Sequence, residues 1–278
     1  ELKAVEQDRD SRIDKVALRK SLGERLIGHR LLYFLSLPST NRHVRELAED
    51  GWPEGTVVMA EEQTAGRGRT GRTWHSPPGV GLYFSFLLKP QMPIEKIPLL
   101  TLMTAVGVAR GLRDCGYAAE IKWPNDLLLG GRKAAGILAE TRLRPSSPPE
   151  VVVGVGVNVN QGEAHFPPDL RARAGSLKLA TGRAADRTAV LSSILQELNA
   201  EYETFRATGE GALIDAVLGL CPMARGATVT VTLGRETISG QTSGLGPTGA
   251  LRVATPSGVR EVHAGEAHLG GGTDAPRG

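Results

Sequence analysis

The chain has 278 residues, of which 40% are hydrophobic and 23% are charged, and its formal net charge is +3. This composition is typical of a globular protein with one large domain or two unequal ones. So small a charge surplus does not indicate a nucleic-acid binder, which would concentrate Lys and Arg in one stripe. The two cysteines lie far apart and the six histidines show no ligand spacing. The sequence therefore predicts neither a disulfide framework nor a metal cluster.

The sequence also indicates the compartment. The longest mostly apolar run, residues 97–109, is too short to span a bilayer. No signal peptide opens the chain. We therefore expect a cytoplasmic protein without membrane contacts.

The first part of the chain mixes helices and strands. A weak apolar periodicity predicts a helix over residues 12–27, and Ser39 or Thr40 can cap a short helix that runs to about Ala48. Apolar runs rich in β-formers predict strands at 30–37, 56–60 and 81–88. A loop dense in Gly, Arg and Pro occupies residues 63–79.

The second part continues with a buried helix at 97–113 and strands at 120–123, 126–129, 132–140 and 151–157. Gly130-Gly131 is the predicted hairpin turn. A helix over 187–206 has its apolar side chains on one face and Asp186 as its cap. Because helices and strands do not alternate strictly, the pattern favours an α+β fold.

The composition changes at about residue 222. Short alternating strands separated by tight turns predict a small β-barrel of about fifty residues. Residues 271–278 are predicted to be a disordered tail.

Residues 66–72 read GRGRTGR, which formally matches the dinucleotide fingerprint GxGxxG. That fingerprint requires a strand before it and a helix after it, so that the helix N-terminus can hold a pyrophosphate. A strand is predicted before the loop, but prolines, glycines and another strand follow. A nicotinamide-dependent oxidoreductase is therefore disfavoured.

The arginines of this loop favour a different ligand. Guanidinium groups at Arg67, Arg69 and Arg72 present forked donors to carboxylates and phosphates, and the glycines let the backbone wrap a ligand closely. Since three like charges repel, we expect the empty loop to be open and mobile and an anionic ligand to order it. The alternative is a solvated Arg-rich loop or a nucleic-acid contact.

Two further segments carry polar residues next to apolar strands. In KWPNDLLLGGRKAAGILAE (122–140), Lys133 opens a strand and can either place its own positive charge near a reacting phosphate or extend to solvent. Gly136 predicts a close approach by a ligand or another backbone. In GVGVNVN (154–160), Asn158 ends an apolar strand, where it is either a site residue or a turn former.

Together these segments resemble the biotin protein ligases, also called biotin–[acetyl-CoA-carboxylase] ligases. The resemblance runs from about Leu18 to Leu269 and rests on Ser39-Thr40-Asn41, Gln63 with GRGRTGR and Trp74, KWPND, Arg132-Lys133 with Ala135-Gly136, and GVGVNVN. Lipoate ligases have a similar fold but lack the Gly-Arg loop and KWPND.

The resemblance implies an α+β, mixed-sheet catalytic domain of the biotin/lipoate ligase type over 30–220, followed by a small SH3-like β-barrel over 221–270. An N-terminal helical segment over 1–29 precedes them.

The resemblance also implies a two-step reaction that uses ATP and Mg²⁺. The carboxylate of biotin attacks the α-phosphate to give biotinyl-5′-AMP, and a lysine of a biotin carboxyl carrier protein then takes the biotinyl group. Because a carboxylate is already ionised near pH 7, the first step needs cations rather than a general base.

The resemblance assigns roles by position. The polar head of biotin would contact Ser39, Thr40, Asn41 and Gln63. The biotin carboxylate and the phosphate would be wrapped by Arg67, Gly68 and Arg69, with Gly136 and Lys133 also in the biotin site. The nucleotide side would be formed by Arg72, Trp74, Lys122, Asn125, Asp126 and Asn158, although Trp74 has a competing role in the core. Lys133 and Arg69 are the candidate catalytic residues, and no residue is assigned as a direct metal ligand.

Some features depart from the family or concern its partners. Thr70 stands where many members have Arg, and the stretch after Asn160 (QGEAHFPPDL) matches no family pattern, so no adenine-stacking residue is assigned there.

Only about thirty residues precede the motifs, too few for the DNA-binding module of some members, so we expect no operator binding. A biotinyl-AMP-sensing regulator would need a recognition helix, and none is predicted. The resemblance allows a homodimer.

Overall fold

The computed structural model describes residues 12–144 and 147–270, which form two β-sheets that share a main hydrophobic core. The helices are α1 (Lys15–Leu22), α2 (Thr40–Glu49), α3 (Leu99–Asp114), α4 (Leu177–Thr181), α5 (Arg187–Thr208) and α6 (Glu210–Leu220). The strands are β1 (Leu31–Leu37), β2 (Val57–Gln63), β3 (Gly81–Leu88), β4 (Glu120–Lys122), β5 (Asp126–Leu129), β6 (Arg132–Arg142), β7 (Glu150–Asn158), β8 (Arg225–Leu233), β9 (Glu236–Leu245), β10 (Leu251–Thr255), β11 (Gly258–Val262) and β12 (Glu266–Leu269).

The first sheet is mixed. Its strand order is β1-β2-β3-β7-β6-β5-β4, with β1 and β2 parallel and the other neighbours antiparallel. Strands β3 and β7 are buried along their whole length because they lie at the centre and are covered on both faces. This arrangement confirms the predicted α+β, mixed-sheet catalytic domain. It also rules out the dinucleotide fold, because the chain continues from Gly71 into β3 without forming a helix.

Helices cover the two faces of this sheet unequally. One face packs against α3 and α5 in the main core, while the other packs against α2 through a small cluster that includes Val44, Val58 and Val152. The contact between α3 and α5 is very close. A Cβ at Gly111 would lie 2.6 Å from the Cα of Ile194, so glycine is needed there.

The helices differ from the predictions at three places, one of which is α4, a helix of five residues that the sequence did not predict. The N-terminal helix is shorter than 12–27, because Asp14 accepts from the first-turn amides and Gly23, with φ +58°, ends the helix. The sequence did not predict α6, although Leu213, Val217 and Leu220 repeat at helical spacing and are buried. Residues 1–11 of the predicted N-terminal segment and the predicted tail over 271–278 lie outside the described residues.

The second sheet is antiparallel, with strand order β11-β10-β9-β8-β12, and it confirms the predicted SH3-like unit. It packs directly on the part of the chain that carries the first sheet. Trp123 Nε1 donates to the buried Gly249 carbonyl at 3.0 Å, and a Cβ at Gly249 would lie 2.6 Å from Leu102 Cδ1. Over the described ranges, no helix is both long and apolar enough to cross a membrane.

Candidate active site

Glycines line the face of the first sheet next to the N-terminus of α2. A Cβ at Gly154 would lie 2.9 Å from Asn41 Cγ, and one at Gly156 would lie 2.8 Å from Trp74 Cζ2. A Cβ at Gly136 would lie 2.9 Å from Trp74 Cζ3, so the group that approaches Gly136 is a side chain and not another backbone, and the approach of a ligand stays a prediction. Because these three positions have no Cβ, the side chains of Asn41 and Trp74 can lie directly on the sheet.

A buried polar cluster occupies the α2 end of this face. Ser39 caps α2, and both Thr40 N and Thr40 Oγ1 donate to Gln63 Oε1, at 2.9 and 3.1 Å. Ser85 Oγ lies 2.7 Å from Thr40 Oγ1 and donates to Asn41 Oδ1 at 2.6 Å. The four residues predicted to contact the head of biotin are therefore brought together. Ser85 was not predicted, although it is the only serine in the apolar strand GLYFSFLL.

A second residue that the sequence did not predict is Glu140 of β6. Its Oε2 accepts from Asn41 Nδ2 at 2.8 Å, and its Oε1 forms an ion pair with Arg67. The side chain of Arg67 therefore lies beside the polar cluster. The only sequence signal was a carboxylate at the end of the apolar run AAGILAE, which is typical of many strand ends.

Lys133 lies at the other end of this stretch of β6. Its Nζ is 2.6 Å from Asp126 Oδ1 and 5.4 Å from the centre of the Trp74 ring. Lys122 lies opposite Asp126 in the β4–β5 pair. Nε1 of Trp74 is buried against the sheet and has no hydrogen-bond partner among the described residues. A cation, a carboxylate and an indole thus meet where the resemblance places the reacting groups.

Arg69 reaches the same end of the site. Its Nη1 donates to Asn125 Oδ1 at 2.8 Å, and Asn125 Nδ2 donates in turn to the Ile137 carbonyl of β6 at 2.9 Å. Burial lowers the pKa of the Arg69 guanidinium, and the charge of Asp126 acts in the opposite direction. The side chain is therefore partly desolvated and fixed to the sheet through Asn125.

The GRGRTGR segment folds back on itself as a short hairpin-like loop. Gly68 N donates to the Arg72 carbonyl at 2.7 Å, and Thr70 sits at the tip with φ +54°, a conformation that β-branched residues rarely adopt. Arg72 forms an ion pair with Glu266 of β12, in the second sheet. Each of the three arginines thus has an acidic or amide partner. These partners offset the repulsion from which an open, mobile empty loop was predicted.

Asn158 lies beneath Lys133. Its Nδ2 donates to the Gly175 carbonyl at 2.9 Å and to the Lys133 carbonyl at 3.4 Å. The chain that directly follows the unmatched stretch QGEAHFPPDL returns here, since Lys133 N donates to the Arg173 carbonyl at 2.8 Å. Asn158 therefore supports the backbone at Lys133, and its contact with a nucleotide stays a prediction.

A cavity of about 550 Å³ lies on the outer side of α2. Its lining includes Ser39 of the polar cluster and the neighbouring Arg67, but neither Lys133 nor Trp74. Because the glycine-lined face is instead covered by Trp74, this cavity is a neighbour of the candidate site and not the site itself.

Comparison with known proteins gives two domain matches. The Biotin/lipoate A/B protein ligase family matches residues 33–158, and the Biotin protein ligase C terminal domain matches residues 226–270. The bifunctional ligase/repressor BirA of Bacillus subtilis is 35% identical over 264 residues, which cover 93% of this chain and 80% of that protein. The chain belongs to the biotin protein ligase family.

Other biotin protein ligases agree with this assignment. The biotin–[acetyl-CoA-carboxylase] ligase of Paracoccus denitrificans is 32% identical over 249 residues, which cover 84% of this chain and 98% of that one. The solved biotin protein ligase from Aquifex aeolicus, in complex with biotin and ATP, is 31% identical with a TM-score of 0.74, and the match covers 86% of this chain and 98% of that one. The motifs from Ser39 to Asn158 lie inside the first domain match, and Glu266 lies inside the second.

Proposed function

We propose that this protein activates biotin with ATP as biotinyl-5′-AMP and transfers the biotinyl group to a lysine of a biotin carboxyl carrier domain. One observation carries the proposal. A glycine-lined face joins a neutral polar cluster at Thr40, Asn41 and Gln63 to a cationic cluster at Lys133 and Arg69. A ligand with a polar head at one end and a carboxylate at the other fits this order of groups.

The first step joins the biotin carboxylate to the α-phosphorus of ATP. A carboxylate oxygen forms the new bond to phosphorus, and the bond to the pyrophosphate oxygen breaks. Lys133 and Arg69 offset the negative charge that gathers at this point, and Asn125 holds Arg69 in place before the substrates arrive. No proton has to be removed, because the carboxylate is ionised near neutral pH.

The second step uses the neutral amine of the target lysine. The amine attacks the carbonyl carbon of the mixed anhydride, and AMP leaves. Until then water must be kept away from the anhydride, because hydrolysis would waste it. Two groups can keep water away. One is the loop around Gly68, which is closed by the hydrogen bond from Gly68 N to the Arg72 carbonyl. The other is the Trp74 ring, which lies over Gly136 and Gly156.

We propose that Mg²⁺ enters with ATP as part of the substrate. Hard cations prefer oxygen ligands, and Asp126 and Asn125 present such oxygens beside Lys133. In the part of the chain that the structure describes, no three His, Cys, Asp or Glu side chains group into a metal site. The residues therefore fit an ion held mainly by the phosphates, where it neutralises their charge.

We further propose that the second sheet completes the site and helps to receive the carrier domain. The ion pair between Arg72 and Glu266 supports this role, because it joins the loop to β12. Removing the residues after about 221 would not be a clean test. The Trp123 side chain would lose its partner at Gly249, and the shared core would be exposed.

Three finer expectations stay predictions: a cytoplasmic location, the absence of operator binding and a homodimer. The first is supported by Cys115 and Cys221, which are both free thiols. A gel-shift assay with operator-type DNA would test the absence of operator binding. Light scattering during gel filtration would determine the oligomeric state.

The first half-reaction can be tested alone. The purified chain with biotin, Mg²⁺ and ATP labelled at the α-phosphate should form labelled biotinyl-AMP, which stays bound during rapid gel filtration. Omitting biotin is the control. If no adenylate forms although both substrates bind, the proposed chemistry is wrong.

A further inference from the structure

Glu140 holds two groups of the candidate site at once. Its carboxylate accepts from Asn41 Nδ2 at 2.8 Å and forms an ion pair with Arg67, and its side chain is only 29% exposed. Asn41 belongs to α2 and Arg67 to the GRGRTGR loop, while Glu140 itself belongs to β6. One carboxylate therefore connects three separate segments at the α2 end of the site.

We propose that Glu140 is a positioning residue for the head of biotin, an inference that rests on the proposed function. It fixes Asn41 and Arg67, and through them it governs the capture of biotin while leaving ATP binding unchanged. Glu140 also gives the arginines of the GRGRTGR loop different positions and therefore different roles. Arg67 is held at the polar end, so the carboxylate and phosphate end is left to Arg69 and Lys133.

The effect on Asn41 follows from the chemistry of a carboxylate. An ionised carboxylate can only accept hydrogen bonds, so the atom of Asn41 that faces Glu140 must be the Nδ2 donor. Nδ2 also donates to the Leu138 carbonyl at 3.2 Å, which leaves Oδ1 to accept from Ser85. Glu140 thus sets which polar atoms the cluster offers to a ligand.

The effect on Arg67 is to tie down one side of the loop. The backbone of Arg67 pairs with that of Thr73 on the opposite side of the loop. That opposite side is held separately by the ion pair between Arg72 and Glu266. Without Glu140, the side of the loop that carries Arg67 keeps its backbone hydrogen bonds but loses the ion pair that holds the Arg67 side chain. We therefore expect the loop to open at the polar end while Arg69 stays on Asn125.

The chain offers a matched control for the loss of this charge. Glu49 of α2 forms an ion pair with Arg142, which lies on the same strand as Glu140, at 2.9 Å. The side chains of Arg142 and Glu49 are 40% and 50% exposed, so this pair is more exposed than Glu140. Exposed ion pairs contribute little to stability, so Glu49→Gln should behave like the wild type.

The experiment compares Glu140→Gln, Glu49→Gln, Arg67→Gln and the Glu140→Gln/Arg67→Gln double variant. A glutamine keeps an acceptor for Asn41 but removes the ion pair with Arg67. We expect Glu140→Gln to raise the Kd for biotin by about 3- to 10-fold, the size of one partly exposed charged pair, with a KM for ATP within about twofold of the wild type. In the Arg67→Gln background the same substitution should have almost no effect on biotin binding.

Several results would overturn the inference. These are an unchanged Kd for biotin, a parallel rise in the Kd for biotin and the KM for ATP, or an equal penalty in both backgrounds. A parallel rise with a lower Tm would show a purely structural role. A wild-type protein that forms no biotinyl-AMP would instead refute the proposed function, which keeps the two failures distinct.

Discussion

Gly156→Ala tests whether the indole of Trp74 lies on a surface made by glycine. The added Cβ would be 2.8 Å from Trp74 Cζ2 and closer still to Nε1. Carbon atoms in contact are usually about 3.5–4.0 Å apart, so the ring must move outward by about 1 Å. Gly156 does not have the positive φ that excludes other residues, so strand β7 should accept alanine without backbone strain.

The displacement should reduce activity more than stability. Overpacking costs about 1–3 kcal/mol, and here the loop can relieve it by carrying the ring away from Lys133. If that energy is lost from the transition state, kcat/KM for adenylate formation falls by about 5- to 150-fold. Single-turnover formation of biotinyl-AMP from labelled ATP measures the fall, and thermal unfolding monitors the fold.

Two variants make this prediction specific. Gly162→Ala is the matched control, because its Cβ would meet only His165 Nδ1 at an ordinary 3.7 Å. In a Trp74→Leu background, Gly156→Ala should cost much less, since the smaller side chain leaves room for the methyl group. Wild-type activity in Gly156→Ala, or an equal loss in both backgrounds, would refute the reasoning.

Three other predictions concern the charged groups. Lys133→Met should slow adenylate formation by about 10²- to 10³-fold with little change in Tm, and a loss below tenfold would remove Lys133 from the reaction centre. Arg69→Gly should release biotinyl-AMP early, so blots would show biotin on bystander lysines. If the variant still retained biotinyl-AMP tightly, the assignment of Arg69 to the site of the intermediate would be refuted. Glu266→Gln should lower carrier biotinylation without changing Tm, whereas Glu236→Gln, which breaks an exposed pair within the second sheet, should change neither; equal rates in both would contradict the proposed role of the second sheet.

Local patterns made much of the fold predictable. The buried strands β3 and β7 have continuous apolar runs, and the turn at Gly130-Gly131 marks the β5–β6 hairpin. The N-terminal helix was predicted too long because helical periodicity alone does not show that Gly23 takes a positive φ. Helix α6 was missed although its apolar residues repeat at helical spacing.

The contacts within the candidate site were less predictable. The resemblance pointed to residues one by one, but a lone polar residue in a strand does not reveal its partner. Ser85 and Glu140 are of this kind, since their roles depend on Asn41, which arrives from α2. The pairing of Arg72 with Glu266 joins residues from two domains. Such contacts depend on tertiary packing, and no local pattern reports them.

The most direct test of the central claim is the intact mass of a purified biotin carboxyl carrier domain after incubation with this protein, biotin, ATP and Mg²⁺. The proposed function predicts the addition of one biotinyl group, which disappears when ATP is omitted or when Lys133→Met replaces the wild type. A carrier of unchanged mass, in a reaction that also contains no biotinyl-AMP, would contradict it.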